Sequence, residues 1–313
     1  MSSGTVDALA LALAFGIDRF FGEPPLALHP VSWMGRLLNL SAAPWPGRSP
    51  SAAFARGAAW WLAGAALCVG LAVLAVIALR QVAIAGGVFG PLIEIVGLAL
   101  LLKPMLAWQM LYREVAAVEA ALAREGIDAG RAQLSRLVSR DTVHLGITEV
   151  RESALESLAE NLNDSLVAPV FWYVLGGLPG VVLYRFANTA DAMWGYRGRF
   201  ERAGKWAARA DDALSFIPAR LTAILLALAT PRWPRGVPQV ASVTPSPNGG
   251  WPMGTLALLL GVRLSKPGVY VLNPGGAHVH AADFATGLTI CARTAWLCVA
   301  LGIAALALFG SVT

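Results

Sequence analysis

The sequence predicts an all-α, polytopic membrane protein with broken or re-entrant helices and a cytoplasmic region of helices and loops. The first observation is composition: 57% of the 313 residues are hydrophobic and only 14% are charged. A soluble chain has roughly 25% charged residues. Together with a mean hydropathy of +0.61, this composition leaves too little polar surface to cover a globular core, so a lipid-facing surface is expected.

The second observation is a set of long apolar runs. A membrane-spanning helix needs about 20 apolar residues, and residues 57–79, 82–102 and 285–309 meet that length. A fourth run, residues 5–17, is shorter and needs tilted neighbours or a thinned bilayer to span. We predict that residues 1–313 form a single integral-membrane domain.

Two further apolar stretches are interrupted. Residues 165–187 contain GGLPG at 176–180, and residues 213–229 contain Pro218 and Arg220. Glycine and proline break helices, which leaves segments too short to span. Because broken helices at membrane depth often border a binding site, we predict that both stretches are half-buried.

Basic residues set the predicted sidedness. Residues 103–164 and 188–212 are rich in arginine and lysine, whereas the turn at 80–81 has only Arg80. By the positive-inside rule, the two basic segments face the cytoplasm. A single span over 165–187 would put them on opposite sides, and a hairpin that turns at GGLPG keeps both inside. We favour the hairpin and keep the single span as the alternative.

The sequence lacks the signature motifs of several functional classes. Cys68, Cys291 and Cys298 lie in apolar runs without CxxC spacing, so we interpret them as small hydrophobic residues. Basic residues do not cluster with aromatic ones, so no nucleic-acid partner is expected. The chain has no Walker P-loop, HExxH or GxSxG motif, so any use of ATP must proceed without a P-loop.

Acidic residues concentrate in one part of the chain. Residues 141–212 contain ten of the 19 acids. Five of them share one face of a predicted helix because they are three or four residues apart. These five are Glu149, Glu152, Glu156, Glu160 and Asp164.

The acidic stripe has two interpretations. A solvated helix face balanced by nearby arginines is favoured for Glu149 and Glu152. Glu160 and Asp164 adjoin the apolar run, where an unpaired carboxylate is costly. A cation is therefore expected beside them, either arginine or Mg²⁺, which binds one or two carboxylates together with substrate phosphates.

A second polar cluster follows the interrupted stretch. Asn188, Thr189 and Asp191 appear where the apolar run ends. If the hairpin returns to its starting face, Asn188 and Asp191 meet Asn161 and Asp164 at one site. The alternative is that each of these residues caps a helix end.

Two other features suggest anion binding. Arg220 lies in an apolar context and needs an acidic partner or an anionic ligand. The loop SPNGGW at 246–251 could present backbone N–H groups to an anion, although a plain turn is the favoured interpretation.

Several long motifs occur together in one order. They are DRFFGEPPLALHPVSWMGR (18–36), RDT (140–142), ALESLAENLNDSLVAPVFW (154–172), GGLPGVVLYRFANTADAMWGYR (176–197), DDALSFIPARLTA (211–223) and SPNGGWP (246–252). In these motifs the chain resembles the adenosylcobinamide-phosphate synthase family of cobalamin biosynthesis. The resemblance extends from about residue 11 to residue 272.

The resemblance implies a multi-pass enzyme of the bacterial inner membrane whose motif-bearing loops face the cytoplasm. It implies ATP-dependent amide formation between (R)-1-aminopropan-2-ol, or its O-phosphate, and the propionate of adenosylcobyric acid, with Mg²⁺ as the metal. Activation of the carboxylate by ATP implies an acyl phosphate. Other corrin-pathway enzymes are possible partners.

The resemblance also identifies site residues. We expect catalytic roles for Glu160, Asp164, Asp191 and Arg220, and Mg²⁺ binding by the first three of these. The residues expected to bind substrate are Asp18, Arg140, Asp141, Glu156, Asn161, Asn188, Tyr196, Asp212 and Asn248. Glu149 and Glu152 lie outside the family pattern.

The chain departs from the family pattern at three positions. Glu23 replaces an aspartate, Ala192 replaces a serine, and Met253 stands where the family tends to have glutamate. The last change removes a carboxylate, so no acid is required at that position.

Two alternative functions are considered. One is a corrinoid transporter, but transporters usually have repeated halves and this chain shows none. The other is a membrane scaffold, which needs no acidic cluster.

Overall fold

A computed structural model describes residues 1–40, 49–195 and 202–310. The α-helices are α1 (Ser3–Phe21), α2 (Pro30–Leu40), α3 (Pro50–Ala85), α4 (Gly90–Leu102), α5 (Trp108–Glu125), α6 (Ile127–Leu134), α7 (Ile147–Leu162), α8 (Ala168–Trp194), α9 (Lys205–Leu228), α10 (Val237–Ala241), α11 (Gly250–Leu260) and α12 (Ala281–Phe309). The predicted helical class is confirmed. One antiparallel hairpin, β1 (Leu264–Lys266) and β2 (Tyr270–Leu272), was not predicted.

Four helical segments of the described chain are long and apolar enough to cross a membrane. They are Pro50–Ala85, Gly87–Glu125, Ile147–Trp194 and Ala281–Phe309. Pro50–Ala85 contains the predicted run 57–79, Ala281–Phe309 contains 285–309, and Ile147–Trp194 contains the interrupted stretch 165–187. The run 82–102 is divided, since its first residues belong to Pro50–Ala85 and the rest lie mainly in Gly87–Glu125. Four such helices indicate a membrane protein.

The described chain divides into two compact units. The first comprises residues 1–107, 168–214 and 299–313, and the second comprises residues 108–167 and 215–298. The expectation of one domain over the whole chain stays a prediction.

The first unit packs helices closely through small residues. A Cβ atom built on Gly64 of α3 would lie 2.6 Å from the ring of Phe186 in α8. A Cβ atom on Gly302 of α12 would lie 2.7 Å from Val170. Small residues allow such close packing of membrane helices. On α3, Leu67, Leu71 and other leucines remain exposed, as expected for a lipid-facing surface.

Helix α8 is broken where the sequence predicts. Gly176 has φ −132° and ψ 17°, and Gly177 has φ 57° and ψ −152°, both outside the helical range. A positive φ favours glycine. A Cβ atom on Gly180 would lie 2.5 Å from the carbonyl oxygen of Trp172, although eight residues of straight helix span about 12 Å. The chain therefore turns sharply at GGLPG.

The predicted break at Pro218 is wrong, because α9 continues through this residue. A proline inside a helix lacks the N–H that would bind the carbonyl four residues earlier. That carbonyl belongs to Leu214, and the indole Nε1–H of Trp172 donates to it at 3.0 Å. The replacement donor satisfies the freed carbonyl, so the helix does not have to end.

Candidate functional site

The acidic stripe lies on α7, in the second unit, and its first residue has a structural role. The backbone N–H of Gly146 donates to Glu149 Oε2 at 2.7 Å. A carboxylate in the first turn also interacts favourably with the helix dipole. Glu149 therefore stabilises the start of α7, in keeping with its expected non-catalytic role.

Glu152 is not on a solvated face, so that interpretation is wrong. Its side chain is only 1% exposed, and the Ser265 hydroxyl donates to Oε2. Arg263 Nε and His278 Nδ1 lie 3.6 and 3.7 Å from Oε1. A buried carboxylate needs such partners. Glu152 thereby fastens strand β1 to α7, a role that the local sequence gives no sign of.

Glu156, one turn later, pairs with Arg140, another residue expected to bind substrate. Arg140 Nη2 donates to Glu156 Oε2 at 2.6 Å, and the carboxylate is almost fully buried. Tyr270 of β2 also interacts with Glu156. Burial raises the pKa of the Tyr270 hydroxyl, and the negative charges of Glu156 and Glu160 raise it further. The hydroxyl therefore stays protonated and can donate a hydrogen bond.

Glu160, the last acid of the stripe on α7, has an exposed side chain, although the protein around it partly desolvates the carboxylate. The charges of Asp164 and Glu156 repel its carboxylate, while those of Lys266 and Arg140 attract it. Gly249 approaches closely, since a Cβ atom there would lie 2.8 Å from Glu160 Oε1. The stripe thus runs from buried, paired carboxylates to one that is open to a ligand.

A π-helix, Asn163–Val167, follows α7. Such segments occur frequently at functional sites. The Asn163 side chain is buried, its Oδ1 accepts from Thr222 at 3.1 Å and its Nδ2 donates to Asp164 Oδ1 at 2.8 Å. Asn163 thus orients Asp164. Neither Asn163 nor Thr222 is among the site residues that the sequence predicts.

Arg220 contacts neutral groups in the part of the chain that the structure describes. Its Nη1 donates to the carbonyl of Phe216 at 2.6 Å and to Asn248 Oδ1 at 3.2 Å. The guanidinium lies 3.5 Å from the centre of the Phe216 ring and 4.6 Å from that of Trp251. Cation–π contacts and carbonyl acceptors therefore stabilise the charge where an acidic partner was one expectation, and the other expectation, an anionic ligand, stays a prediction.

The loop at 246–251 forms a turn. The backbone N–H groups of Asn248 and Gly249 both donate to Ser246 Oγ at 3.2 Å. Hydroxyl acceptors stabilise such turns. Because these two N–H groups are already satisfied, the favoured turn interpretation is confirmed for them, and the Asn248 side chain serves to hold Arg220.

Other predicted site residues make local contacts. Asp141 Oδ1 accepts from the N–H of Val143 at 2.9 Å, and Asn161 Nδ2 donates to the carbonyl of Ser157 at 2.9 Å. In the first unit, Asn188 Nδ2 donates to an oxygen of Asp211 at 3.4 Å.

The remaining predictions divide between the two units. Asp212 is half-buried in the first unit, and burial raises the pKa of its carboxyl. Tyr196 lies outside the described residues. Asn161 and Asp164 belong to the second unit, whereas Asn188 and Asp191 belong to the first. The convergence of these four side chains therefore stays a prediction.

Asp18 lies in the first unit and is fully buried. Lys103 Nζ lies 3.4 Å from Asp18 Oδ1 and 2.8 Å from Glu23 Oε2, and His29 Nε2 lies 3.1 Å from the same Glu23 oxygen. Burial alone would raise the pKa of Glu23, but the hydrogen bonds with His29 and Lys103 lower it on balance. These contacts favour a structural role for Asp18 over substrate binding.

The acidic groups fit a weakly bound Mg²⁺ better than a tightly held structural metal. The residues that the structure describes contain no group of three or more His, Cys, Asp or Glu side chains placed to hold a metal. Mg²⁺ usually needs only one or two carboxylates and takes its other ligands from water and phosphates. Exposed Glu160, repelled by the charge of Asp164, meets that need. The metal-binding role of these two residues and of Asp191 stays a prediction.

Comparisons with known proteins agree on one family. The model of the family described as "CobD/Cbib protein" matches residues 11–301. "Cobalamin biosynthesis protein CobD" of Brucella anthropi is 36% identical over 302 residues, which cover 89% of this chain and 90% of that protein. "Probable cobalamin biosynthesis protein CobD" of Thermococcus kodakarensis is 40% identical over 260 residues, which cover 82% of each chain. No solved structure matches.

Proposed function

Because the chain belongs to the CobD/Cbib protein family, we propose that it acts in cobalamin biosynthesis as an ATP-dependent amide ligase. The substrates are adenosylcobyric acid and (R)-1-aminopropan-2-ol or its O-phosphate, and the product is adenosylcobinamide or its phosphate. We place the enzyme in the inner membrane with its motif-bearing loops in the cytoplasm. Other corrin-pathway enzymes are candidate partners.

The observation that carries this proposal is the order of burial along α7. Glu152 and Glu156 are buried and paired, whereas Glu160 is exposed and has like charges beside it. Cationic side chains, Lys266 and Arg140, also act on Glu160. Acidic and basic groups held together in this way suit a reaction that moves a phosphoryl group, because both Mg²⁺ and phosphate oxygens find partners.

The proposed reaction has two steps. An oxygen of the substrate carboxylate attacks the γ-phosphorus of ATP, ADP leaves, and an acyl phosphate forms. The amine then attacks the acyl carbon, the C–O bond to phosphate breaks, and the departing phosphate takes up the proton that the amine loses. Mg²⁺, when bound, would supply positive charge to the phosphates, and Glu160 and Asp164 are its proposed ligands in the second unit. Asp191, in the first unit, stays a predicted ligand.

The side chains around the stripe have distinct proposed roles. Arg140 and Lys266 offset negative charge as phosphate is transferred and released. Tyr270, held protonated, donates a hydrogen bond beside Glu156. Glu152 positions β1, the strand that ends with Lys266, through its contact with Ser265.

An assay of the purified protein tests the proposal. The mixture contains adenosylcobyric acid, aminopropanol or its phosphate, and Mg·ATP, and mass spectrometry detects the amide while ADP is counted. We expect one ADP for each amide formed. Asp164→Asn and Asp191→Asn should each abolish most of the activity, with Glu149→Gln as the matched control on α7. A protein that is folded yet makes no ATP-dependent amide would refute the ligase.

A further inference from the structure

A polar cavity of about 410 Å³ lies in the second unit, between α6 and the loop that leads to α7. Small-molecule sites commonly have volumes of about 300–1,000 Å³. Its polar lining includes Asp128, Arg131, Ser135, Arg140, Asp141 and Thr142. Residues 126–146 lie between two candidate membrane-spanning segments, so a water-soluble ligand can reach the cavity without entering lipid.

Two arginines of the cavity are held in place by other parts of the unit. Arg131 Nε donates to the carbonyl of Leu145 at 2.8 Å, and Arg140 Nη2 donates to Glu156 at 2.6 Å. Arg140 Nη1 is buried and has no hydrogen-bond partner among the described residues. Arg140 thus has a donor to spare, and a guanidinium is well suited to phosphate oxygens.

The two hydroxyl groups of the cavity already donate hydrogen bonds to backbone carbonyls. Ser135 donates to the carbonyl of Ala132, and Thr142 donates to the carbonyl of Arg131. The arginines are therefore the main donors available to a ligand, which favours an anion over a neutral sugar or amide.

The two acids of the cavity are more exposed than the arginines. The Asp128 side chain is 90% exposed, against 26% for Arg131 and 17% for Arg140. Asp141 is also exposed. The enclosed part of the cavity is therefore basic and its rim is acidic, and one rim acid already pairs with a cavity arginine, since Arg131 Nη1 donates to Asp128 Oδ1 at 3.0 Å. A matching ligand has a phosphate at one end and a positive charge nearby.

We propose that this cavity binds a phosphate group through Arg131 and Arg140, while Asp128 and Asp141 face a cation that accompanies the phosphate. Two substrates of the proposed reaction have this chemistry: ATP with its Mg²⁺, and the phosphate ester of an amino alcohol with its ammonium group. The assignment of these two sources rests on the proposed function, whereas the phosphate site rests on the cavity itself.

The site is connected to the acidic stripe through one side chain. Arg140 contributes to the cavity and also binds Glu156 on α7. A phosphate that binds Nη1 would share the guanidinium with Glu156, which is bound to Nη2. Binding at the cavity can therefore alter the charge balance around Glu160, four residues further along the helix.

Isothermal titration calorimetry on the full-length protein in detergent tests the site without the corrinoid. The probes are inorganic phosphate, Mg·ATP, aminopropanol phosphate and unphosphorylated aminopropanol. We expect Arg131→Gln and Arg140→Gln each to weaken binding of a phosphate probe about tenfold or more, because each removes a charge-assisted contact. The probe whose affinity falls identifies the source, and aminopropanol without phosphate should show no change.

Arg136→Gln is the matched control. Arg136 lies in the same segment, is 62% exposed and pairs with Glu114 outside the cavity, so its loss should change affinity less than twofold. Asp128→Asn alters a surface carboxylate and releases Arg131 from its ion pair, so inorganic phosphate should bind this variant at least as tightly as the wild type. Equal losses in Arg131→Gln and Arg136→Gln, or no effect of either cavity arginine, would overturn the site.

The outcome is separable from that of the ligase assay. Arginine-dependent phosphate binding without any amide product rejects the proposed reaction and keeps the site. Amide formation together with unchanged phosphate affinity in Arg131→Gln keeps the reaction and rejects the site. The unfolding midpoints of Arg131→Gln and Arg140→Gln show whether a loss of binding comes from misfolding. Arg131→Lys and Arg140→Lys retain the positive charge and provide a second pair of variants for the same measurement.

Discussion

The protein has two clusters of charged side chains, and they differ in whether every charge is buried beside a partner. In the first unit, Lys103 contacts both Asp18 and Glu23, and the side chains of Lys103 and Asp18 are at most 5% exposed. In the second unit, Arg140 pairs with Glu156, but the stripe continues to the exposed carboxylate of Glu160. The first cluster is enclosed, whereas the second opens to solvent.

This difference separates two uses of charge. An enclosed cluster has its partners within the protein, so loss of one partner leaves an uncompensated buried charge and lowers stability. An open cluster has an exposed carboxylate that repulsion from its neighbours disfavours, so a cation or a substrate can improve its energy. Substitutions in the first cluster should therefore act on folding, and those in the second on activity.

The largest expected effect is on the enclosed cluster. Lys103→Met keeps the length of the side chain but removes its charge, so Asp18 and Glu23 lose their shared cation. The free energy of unfolding should fall by about 3–5 kcal/mol, measured by denaturant or thermal unfolding in detergent. Arg80→Gln breaks the more exposed pair with Glu94 and should cost about 1 kcal/mol or less. Equal losses in the two variants would contradict the comparison.

The next effect is on the open cluster. Glu160→Gln removes the exposed charge and should reduce kcat at least about 100-fold, while the unfolding midpoint stays the same or rises because repulsion with Asp164 and Glu156 is relieved. Glu149→Gln, on the same helix, should lower stability by about 0.5–1 kcal/mol and leave kcat unchanged. If Glu160→Gln lost stability but kept its activity, the open cluster would have a structural role instead of a catalytic one.

A smaller effect is expected at Tyr270. Tyr270→Phe removes the hydroxyl beside Glu156 and should lower kcat about tenfold, the usual cost of one hydrogen bond to a charged group. The raised pKa of Tyr270 keeps the hydroxyl protonated, so the pH–rate profile should keep its shape. Tyr112→Phe, on α5, serves as the control. A lost basic limb in the Tyr270→Phe profile would show that the hydroxyl ionises during turnover.

The smallest effect is on the acid stability of the enclosed cluster. The folded pKa of Glu23 lies below its ordinary value, which is about 4.3 in the unfolded chain. The stabilisation is therefore present above pH 4.3 and is lost as the pH falls through the lower folded pKa. Wild-type unfolding midpoints should decline below pH 4.3 more steeply than those of Glu23→Gln. Parallel curves would mean that the pKa of Glu23 is unshifted.

Features set by local sequence were the predictable ones. The break at Gly176–Gly177 needs only two glycines and a nearby proline, and the spacing of the acids on α7 follows from helical periodicity. The continuity of α9 at Pro218 was missed because its replacement donor, Trp172, lies 42 residues before the carbonyl it binds.

The burial of individual acids in the stripe could not be predicted from the sequence. Glu152 has a helical spacing that suits a solvated face, and its partner Ser265 lies 113 residues further along the chain. The same holds for Lys266 and Tyr270, which reach the stripe through a short hairpin that has only three residues in each strand. Contacts between distant segments decide which acids are enclosed and which are open.

The break in α8 also has a consequence for biogenesis. Each half of α8 is shorter than the roughly 20 residues that cross a bilayer on their own, although the first half continues a helical segment that begins at Ile147 and is long enough to span as a whole. Phe186, in the later half, packs against Gly64 of α3, which is synthesised earlier, whereas Val170, in the first half, packs against Gly302 of α12. The packing of the first half is therefore complete only after Gly302 of α12 has left the ribosome.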